Sequence, residues 1–288
     1  SLLQEIISMK EDDFIPWEEV TLPSRGEYYD DKLPGGMVRV RAMGIHADKI
    51  LATQRLAQTG QSIDYLFKHC VQLTEGFDQA DLLSGDRIFL LYILRGITHG
   101  NMYEFAMKCS NCESTAMQSY DLNELASTIT RPDPSIGLEP FKVVLPYLSE
   151  VLGREVWVKV RFIRGKDAST IANKQKFTKR VKASAPRHRT RQIVIDETVT
   201  ENLALVIKTF GGTGAAGEVG DRAKIKALVE RMHAKDTATI RQFLRDNSPG
   251  IDTTIDVQCP ECGQDFKAEL PITESFFRPT SDRASRAT

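Results

Sequence analysis

Four of the five cysteines in the 288-residue chain fall into two Cys-x-x-Cys pairs, Cys109/Cys112 and Cys259/Cys262. Structural zinc takes four nitrogen or sulfur ligands at tetrahedral corners, so one such pair supplies half a site. None of the histidines (His46, His69, His99, His188, His233) stands beside either pair at ligand spacing. The two pairs are therefore expected to complete each other around a single structural Zn2+, across 146 intervening residues. Four thiolates leave no open coordination position, so a catalytic zinc is not expected. The competing chemistry is a thiol–disulfide pair, but a redox Cys-x-x-Cys normally opens a helix after a strand. Both pairs here read as turns between short strands. Pro260 and Gly263 suit such a turn, which must aim backbone amides at sulfur and then adopt an unusual backbone angle. The fifth cysteine, Cys70, falls on the apolar stripe of a helix and is assigned to the core.

The elements that must carry these turns follow from hydrophobic periodicity. The first pair is entered by a strand at Tyr103–Lys108 and left through Ala116–Leu122. The second is entered by Thr254–Gln258 and left by Asp265–Ile272. Upstream of the first pair, alternation in Met37–Ala42 marks a half-buried strand, and helices are expected over 47–59, 62–73 and 78–95, the last ended by Gly96 to Gly100. After the turn-rich linker Thr130–Gly137 the same order returns. Leu145-Pro146 matches Leu22-Pro23, and Val156–Phe162 alternates as Met37–Ala42 does. Arg164–Asp167 opens a helix, and helical stretches follow at 198–210, 221–233 and 236–245. Asp86, Leu94, Arg95, Gly100, Cys109 and Cys112 each recur 150 positions later, as Asp236, Leu244, Arg245, Gly250, Cys259 and Cys262. The expected architecture is an α+β fold of two duplicated lobes, each with short strands and about three helices, joined by a zinc-ribbon-like four-cysteine site. The boundaries read as an extension over 1–16, a first lobe over 17–130, a second over 131–278 and a tail over 279–288.

Composition excludes several function classes. A net charge of −1 gives no general electrostatic grip on nucleic acid or an anionic membrane. No apolar run is long enough to span a bilayer, and the opening residues have neither the basic stretch nor the cleavage site of a secretory signal. Reduced cysteines fit synthesis in a cytoplasm. The run Gly211–Gly220 lacks the Gly-Lys-Ser/Thr ending and the preceding strand of a phosphate loop, and is read as an inter-helix connection. No catalytic constellation emerges. Asp86 and Asp236 recur at equivalent positions, where pairing with Arg95 and Arg245 is the simplest structural account. Residues 174–191 carry eight basic and no acidic residues. They are read either as a solvated segment or as a docking arm presenting Lys179, Arg180, Lys182, Arg187, Arg189 and Arg191 to a partner, with nucleic acid the weaker option because few aromatics are interleaved.

Several motifs together resemble the baseplate hub and hub-assembly proteins of T-even-like contractile-tailed phages. In the first half these are Leu22-Pro-Ser-Arg-Gly26, the Val38-Arg-Val-Arg41 strand, Leu51-Ala-Thr-Gln-Arg55, Gly85-Asp-Arg87 and Tyr103-x-Phe105. In the second they are Val158-x-Val-Arg-Phe162, Gly165-Lys-Asp167, Pro249-Gly-Ile-Asp252, Cys259-Pro-Glu-Cys-Gly263, Leu270-Pro-Ile272 and Phe276-Phe-Arg-Pro279. The first knuckle departs from the pattern, reading Cys-Ser-Asn-Cys-Glu where Cys-Pro-x-Cys-Gly is expected. The resemblance implies a non-enzymatic structural or assembly component of the hub or wedge region. Its partners would be other baseplate and tail-tube or hub proteins, with no small-molecule substrate and no membrane, and it would be made in the host cytoplasm and reside in the virion tail. A nucleic-acid-binding zinc-ribbon regulator is the alternative.

Overall fold

The computed structural model describes residues 2–9, 14–53, 61–167, 170, 198–214, 217–272 and 274–277. A short helix α1 (Leu2–Ser8) precedes the first sheet, whose strands β1 (Glu18–Thr21), β2 (Met37–Val40) and β3 (Val71–Gln72) run antiparallel in that order. Val38 and Val40 turn inward while Met37 and Arg39 face out, as period-2 alternation requires. Residues 22–36 form a closed loop between β1 and β2, with Leu22 N–H bonded to Gly36 C=O at 2.9 Å. Helices α2 (Ile45–Ala52) and α3 (Ser62–Cys70) lie between β2 and β3, and α3 buries Leu66, Phe67 and Cys70. Helix α4 (Ser84–His99) follows, and then the hairpin β4 (Met102–Lys108)/β5 (Thr115–Asp121).

The second half likewise builds a three-stranded sheet, then helices, then a hairpin, with a different placement of helices between the strands. After β6 (Ile129–Thr130) come β7 (Phe141–Val144), the short helix α5 (Pro146–Leu152), β8 (Val156–Val160), helix α6 (Thr198–Val206) and β9 (Ile207–Gly212). Strands β7-β8-β9 form a second three-stranded antiparallel sheet. Helices α7 (Arg222–Arg231) and α8 (Ala234–Asn247), the strand β10 (Gly250–Ile251) and the hairpin β11 (Thr254–Gln258)/β12 (Asp265–Glu269) complete it, before a last turn α9 (Glu274–Phe277).

The halves share one apolar core. Strand β6 of the first half pairs with β10 of the second. Tyr28 sets its ring edge-on to Phe162 at 5.0 Å, and Phe276 does the same to both Tyr92 and Tyr103 at 5.0 Å. The Tyr92 and Tyr103 hydroxyls donate to the carbonyls of Leu270 and Pro271. Gly85, in the first turn of α4, lies flat against β10, where a Cβ would stand 1.9 Å from the Pro249 carbonyl oxygen. Only glycine permits that approach.

Four expectations change. The helix expected over 62–73 ends at Cys70, because Val71–Gln72 pairs with β2 instead. The helix expected over 78–95 starts at Ser84. Asp78 caps a tight turn over Gln79–Asp81, and the chain then runs extended through Leu82 and Leu83, which are buried. The helix expected over 198–210 ends at Val206, because Ile207–Gly212 pairs with β8 instead. The glycine run therefore begins inside a strand, where Gly211 lies opposite Trp157 and leaves room for its indole, 2.4 Å from where a Cβ would be. The Asp–Arg pairings do not form. Nine residues along a helix turn through about 900°, which puts the two side chains on opposite faces. Arg95 instead donates to the carbonyls of Gly100 and Met102, just past the C-terminus of α4.

The two aspartates hold something else. Asp86 accepts from Ser24 N–H at 3.1 Å and from the Tyr29 hydroxyl at 2.5 Å, clamping the 22–36 loop onto α4. Asp236 accepts from Tyr147 and Leu148 N–H at 2.8 and 3.2 Å, fixing the first turn of α5. In both halves a fully buried carboxylate at a helix start satisfies amides just beyond a Leu-Pro step.

Candidate metal centre

Each hairpin presents its cysteines by the same local geometry. In the first, Cys109 N–H bonds to Ser114 C=O at 2.8 Å and Glu113 N–H to Cys109 C=O at 3.2 Å. In the second, Cys259 N–H bonds to Gln264 C=O at 3.0 Å and Gly263 N–H to Cys259 C=O at 2.9 Å. The residue after the second cysteine must take a positive φ, 61° at Glu113 and 71° at Gly263. Glycine adopts that angle freely and glutamate does so at a cost, part of which is offset by the Lys108–Glu113 ion pair at 3.0 Å. The sequence departure at the first knuckle therefore leaves the turn intact.

All four sulfurs converge, each within 4.8 Å of the others. Cys109 Sγ lies 3.8 Å from Cys262 Sγ, and Cys112 Sγ lies 3.7 Å from Cys259 Sγ. Zn–S bonds of about 2.3 Å at a tetrahedral centre put sulfurs about 3.8 Å apart, whereas a disulfide needs about 2.0 Å. The spacing fits a shared ion and excludes a closed disulfide. Cys109 and Cys259 are buried while Cys112 and Cys262 face solvent, so the centre sits at the surface with one sulfur of each pair inward. The donor set is four soft thiolates, the chemistry of zinc and iron rather than of magnesium or calcium.

Neighbouring groups prepare the sulfurs for the anionic state that a metal requires. The Ser114 hydroxyl stands 3.0 Å from Cys112 Sγ and 3.5 Å from Cys259 Sγ, and Asn111 N–H points at Cys109 Sγ from 3.4 Å. Asn111 Nδ2 reaches Cys262 Sγ across the interface at 3.8 Å. The Ser114 hydroxyl, aided by the Cys262 and Glu261 amides, brings Cys259 down to about 6, and Ser114 likewise lowers Cys112. At Cys262 the Gln264 amide favours the thiolate, but desolvation and the facing Cys112 and Cys259 outweigh it and push that thiol up to about 11. The conflict is one of like charges: four thiolates within 4.8 Å of one another repel until a cation sits among them.

All four sequence-selected cysteines thus meet, and among the described residues no histidine joins them. Ser114 and Asn111 escaped sequence reasoning because a serine or asparagine near a turn carries no signature beyond turn propensity. Cys70 is buried in the core as expected. The docking candidates Lys179, Arg180, Lys182, Arg187, Arg189 and Arg191 lie outside the described residues. Among the described residues no helix is long and apolar enough to cross a membrane.

The model of a family described as T4 bacteriophage base plate protein matches residues 27–278, a span that contains both hairpins, both buried aspartates and the whole of the second three-stranded sheet. Comparison with curated proteins and with solved structures gives no match.

Proposed function

The chain belongs to the T4 bacteriophage base plate protein family, and on that premise we propose that it is a non-enzymatic structural or assembly component of the hub or wedge region, stapled by one structural Zn2+ held by Cys109, Cys112, Cys259 and Cys262. The observation that carries the metal assignment is the convergence of four sulfurs from hairpins 150 residues apart in sequence, at the spacing of a tetrahedral thiolate site. Zinc bound there offsets half of the charge of the four thiolates and ties the ends of the two hairpins, and it offers no open position for catalysis. Ser114 and Asn111 hold the sulfurs ready. The same reading treats residues 17–130 and 131–278 as two copies of one lobe, supported by the repeated sheet–helix–hairpin order and by the matched roles of Asp86 and Asp236. Its partners are then other baseplate and tail-tube or hub proteins, met in the host cytoplasm during assembly and retained in the virion tail. Complementation tests the role. A phage lacking the gene should regain assembled baseplates with the wild-type chain and fail with Cys109→Ser/Cys259→Ser, while the purified wild-type chain turns over no substrate. Assembly of normal baseplates without the chain would overturn it.

A further inference from the structure

The four sulfurs of the metal centre are not equivalent. Cys112 and Cys262 face solvent, while Cys109 and Cys259 are buried. The sulfur contacts of 3.7 and 3.8 Å, Cys112–Cys259 and Cys109–Cys262, both run from one hairpin to the other, and each joins an exposed sulfur to a buried one. A neutral donor stands beside each exposed sulfur. The Ser114 hydroxyl lies 3.0 Å from Cys112 Sγ, and the Asn111 side-chain amide lies 3.8 Å from Cys262 Sγ. A solvent-facing thiolate beside a resolving thiol is the arrangement in which an oxidant adds to the first sulfur and the second displaces it to form a disulfide. A disulfide needs a sulfur separation of about 2.0 Å, so each pair has less than about 2 Å to close.

The hairpins are also held face to face by contacts that do not involve the metal. Gln118 Nε2 of β5 donates to the Gln258 carbonyl of β11 at 3.4 Å, and the Tyr103 hydroxyl of β4 donates to the Pro271 carbonyl just past β12. Strand β6 pairs with β10 between the halves. Sulfurs released by a departing ion therefore stay opposite the same partners, at a high effective concentration.

We propose that the four cysteines are a site of peroxide oxidation, at which the metal staple is exchanged for two disulfides between the hairpins, Cys112–Cys259 and Cys109–Cys262. The Cys112 thiolate attacks one peroxide oxygen, the O–O bond breaks, and the departing hydroxide takes a proton from solvent to become water. The Cys259 thiolate then attacks the sulfenic sulfur of Cys112, the S–O bond breaks, and a second hydroxide leaves as water. Each bridge thus gives up two electrons from two sulfurs and reduces one peroxide to two waters. Cys262 and Cys109 follow the same course. Ser114 and Asn111 supply hydrogen bonds to the oxygen delivered to the exposed sulfurs. Zinc leaves as its thiolates are consumed. The tie between the hairpins then has a metal form in reducing surroundings and a covalent form in oxidising ones. Cys70, buried in the core outside the cluster, keeps its thiol. The proposal rests on the zinc assignment above.

The test is titration of the purified, zinc-loaded chain with hydrogen peroxide. Zinc release is read with a chromogenic chelator, and the bridges are located by non-reducing peptide mapping in a mass spectrometer. About two equivalents of peroxide should release the zinc, and the map should show Cys112–Cys259 and Cys109–Cys262 with Cys70 reduced. The oxidised chain should melt at least about 5 °C above the reduced, zinc-stripped chain, since the bridges span 147 and 153 residues. In Cys112→Ser/Cys262→Ser, Cys109 and Cys259 should stay reduced at the same dose. Bridges within a hairpin, bridges between chains, sulfinic acids without bridges, or thiols that remain reduced would each overturn the proposal. A Cys109–Cys259 bridge in the double variant would do the same. If the chain prepared under reducing conditions holds no zinc, the metal assignment falls and takes the exchange with it. If a zinc-loaded chain forms its bridges only within each hairpin, the proposal alone falls.

Discussion

Replacing Tyr29 by phenylalanine removes one oxygen atom from the centre of the clamp that holds the 22–36 loop. The Tyr29 hydroxyl donates to Asp86 at 2.5 Å and accepts from Leu83 N–H at 2.9 Å, and the side chain is buried. The first bond, to a carboxylate, is worth about 1.5–3 kcal/mol, and stranding the Leu83 N–H costs about 1–3 kcal/mol more. The phenyl ring keeps its contact with Phe77, so there is little cavity cost, and partial relaxation brings the expected loss to about 3 kcal/mol. For a chain of this size that lowers the melting temperature by roughly 6 °C. The pH dependence is a sharper signature. Burial raises Asp86 to about 6, opposed by hydrogen bonds from Ser24 and Tyr29. A carboxyl whose folded pKa is raised contributes its full stability below its unfolded value near 4 and loses it as pH rises through about 6. Removing the Tyr29 hydroxyl removes one of the bonds that hold this carboxyl down, so the loss above pH 6 grows. The penalty of Tyr29→Phe should therefore be larger at pH 8 than at pH 5, measured as the wild-type-minus-variant difference in urea unfolding with zinc present, so that the metal's own pH dependence cancels. A penalty below about 0.5 kcal/mol, the usual range of surface substitutions, or one that shrinks as pH rises, would refute the reasoning.

Glu113→Gly should stabilise the metal-bound protein by about 0.5–1 kcal/mol in thermal melts, because glycine takes the 61° φ without strain and only an exposed ion pair is lost. Gly85→Ala should cost more than about 3 kcal/mol or prevent folding, since the new methyl would meet the Pro249 carbonyl at 1.9 Å. Ser114→Ala should weaken zinc affinity about tenfold in chelator competition, with unchanged stoichiometry, because it removes a donor shared by two sulfurs.

The meeting of the four cysteines was legible in the sequence because their chemistry leaves few options. Four cysteines in two spaced pairs, without a histidine at ligand spacing, can reach tetrahedral coordination only by joining, and the hairpins follow from the alternation around them. The strand at Ile207–Gly212 was not legible. Its six residues follow an apolar helix without a break, and what makes them a strand is the open edge of β8 together with the indole of Trp157, which lies 54 residues before its partner Gly211. Asp86 was marked as important yet given the wrong partner, because an arginine nine residues along the helix is visible in sequence whereas a tyrosine 57 residues back becomes a neighbour only once the loop closes. The structure also tempers the view of the zinc as the sole closure between halves. The shared core and the β6–β10 pairing hold them independently, so loss of metal should first loosen the hairpin ends.

The central claim is that four cysteines form one zinc site. Elemental analysis of the purified chain, paired with counting of zinc released on thiol modification, tests it most directly. One zinc per chain is expected, released as the four thiols are modified, and lost or greatly weakened in each of the Cys109→Ser, Cys112→Ser, Cys259→Ser and Cys262→Ser variants, with Cys70→Ser keeping the full complement. Absence of zinc from protein prepared under reducing, chelator-free conditions would contradict it, as would a full complement retained after loss of any one of the four.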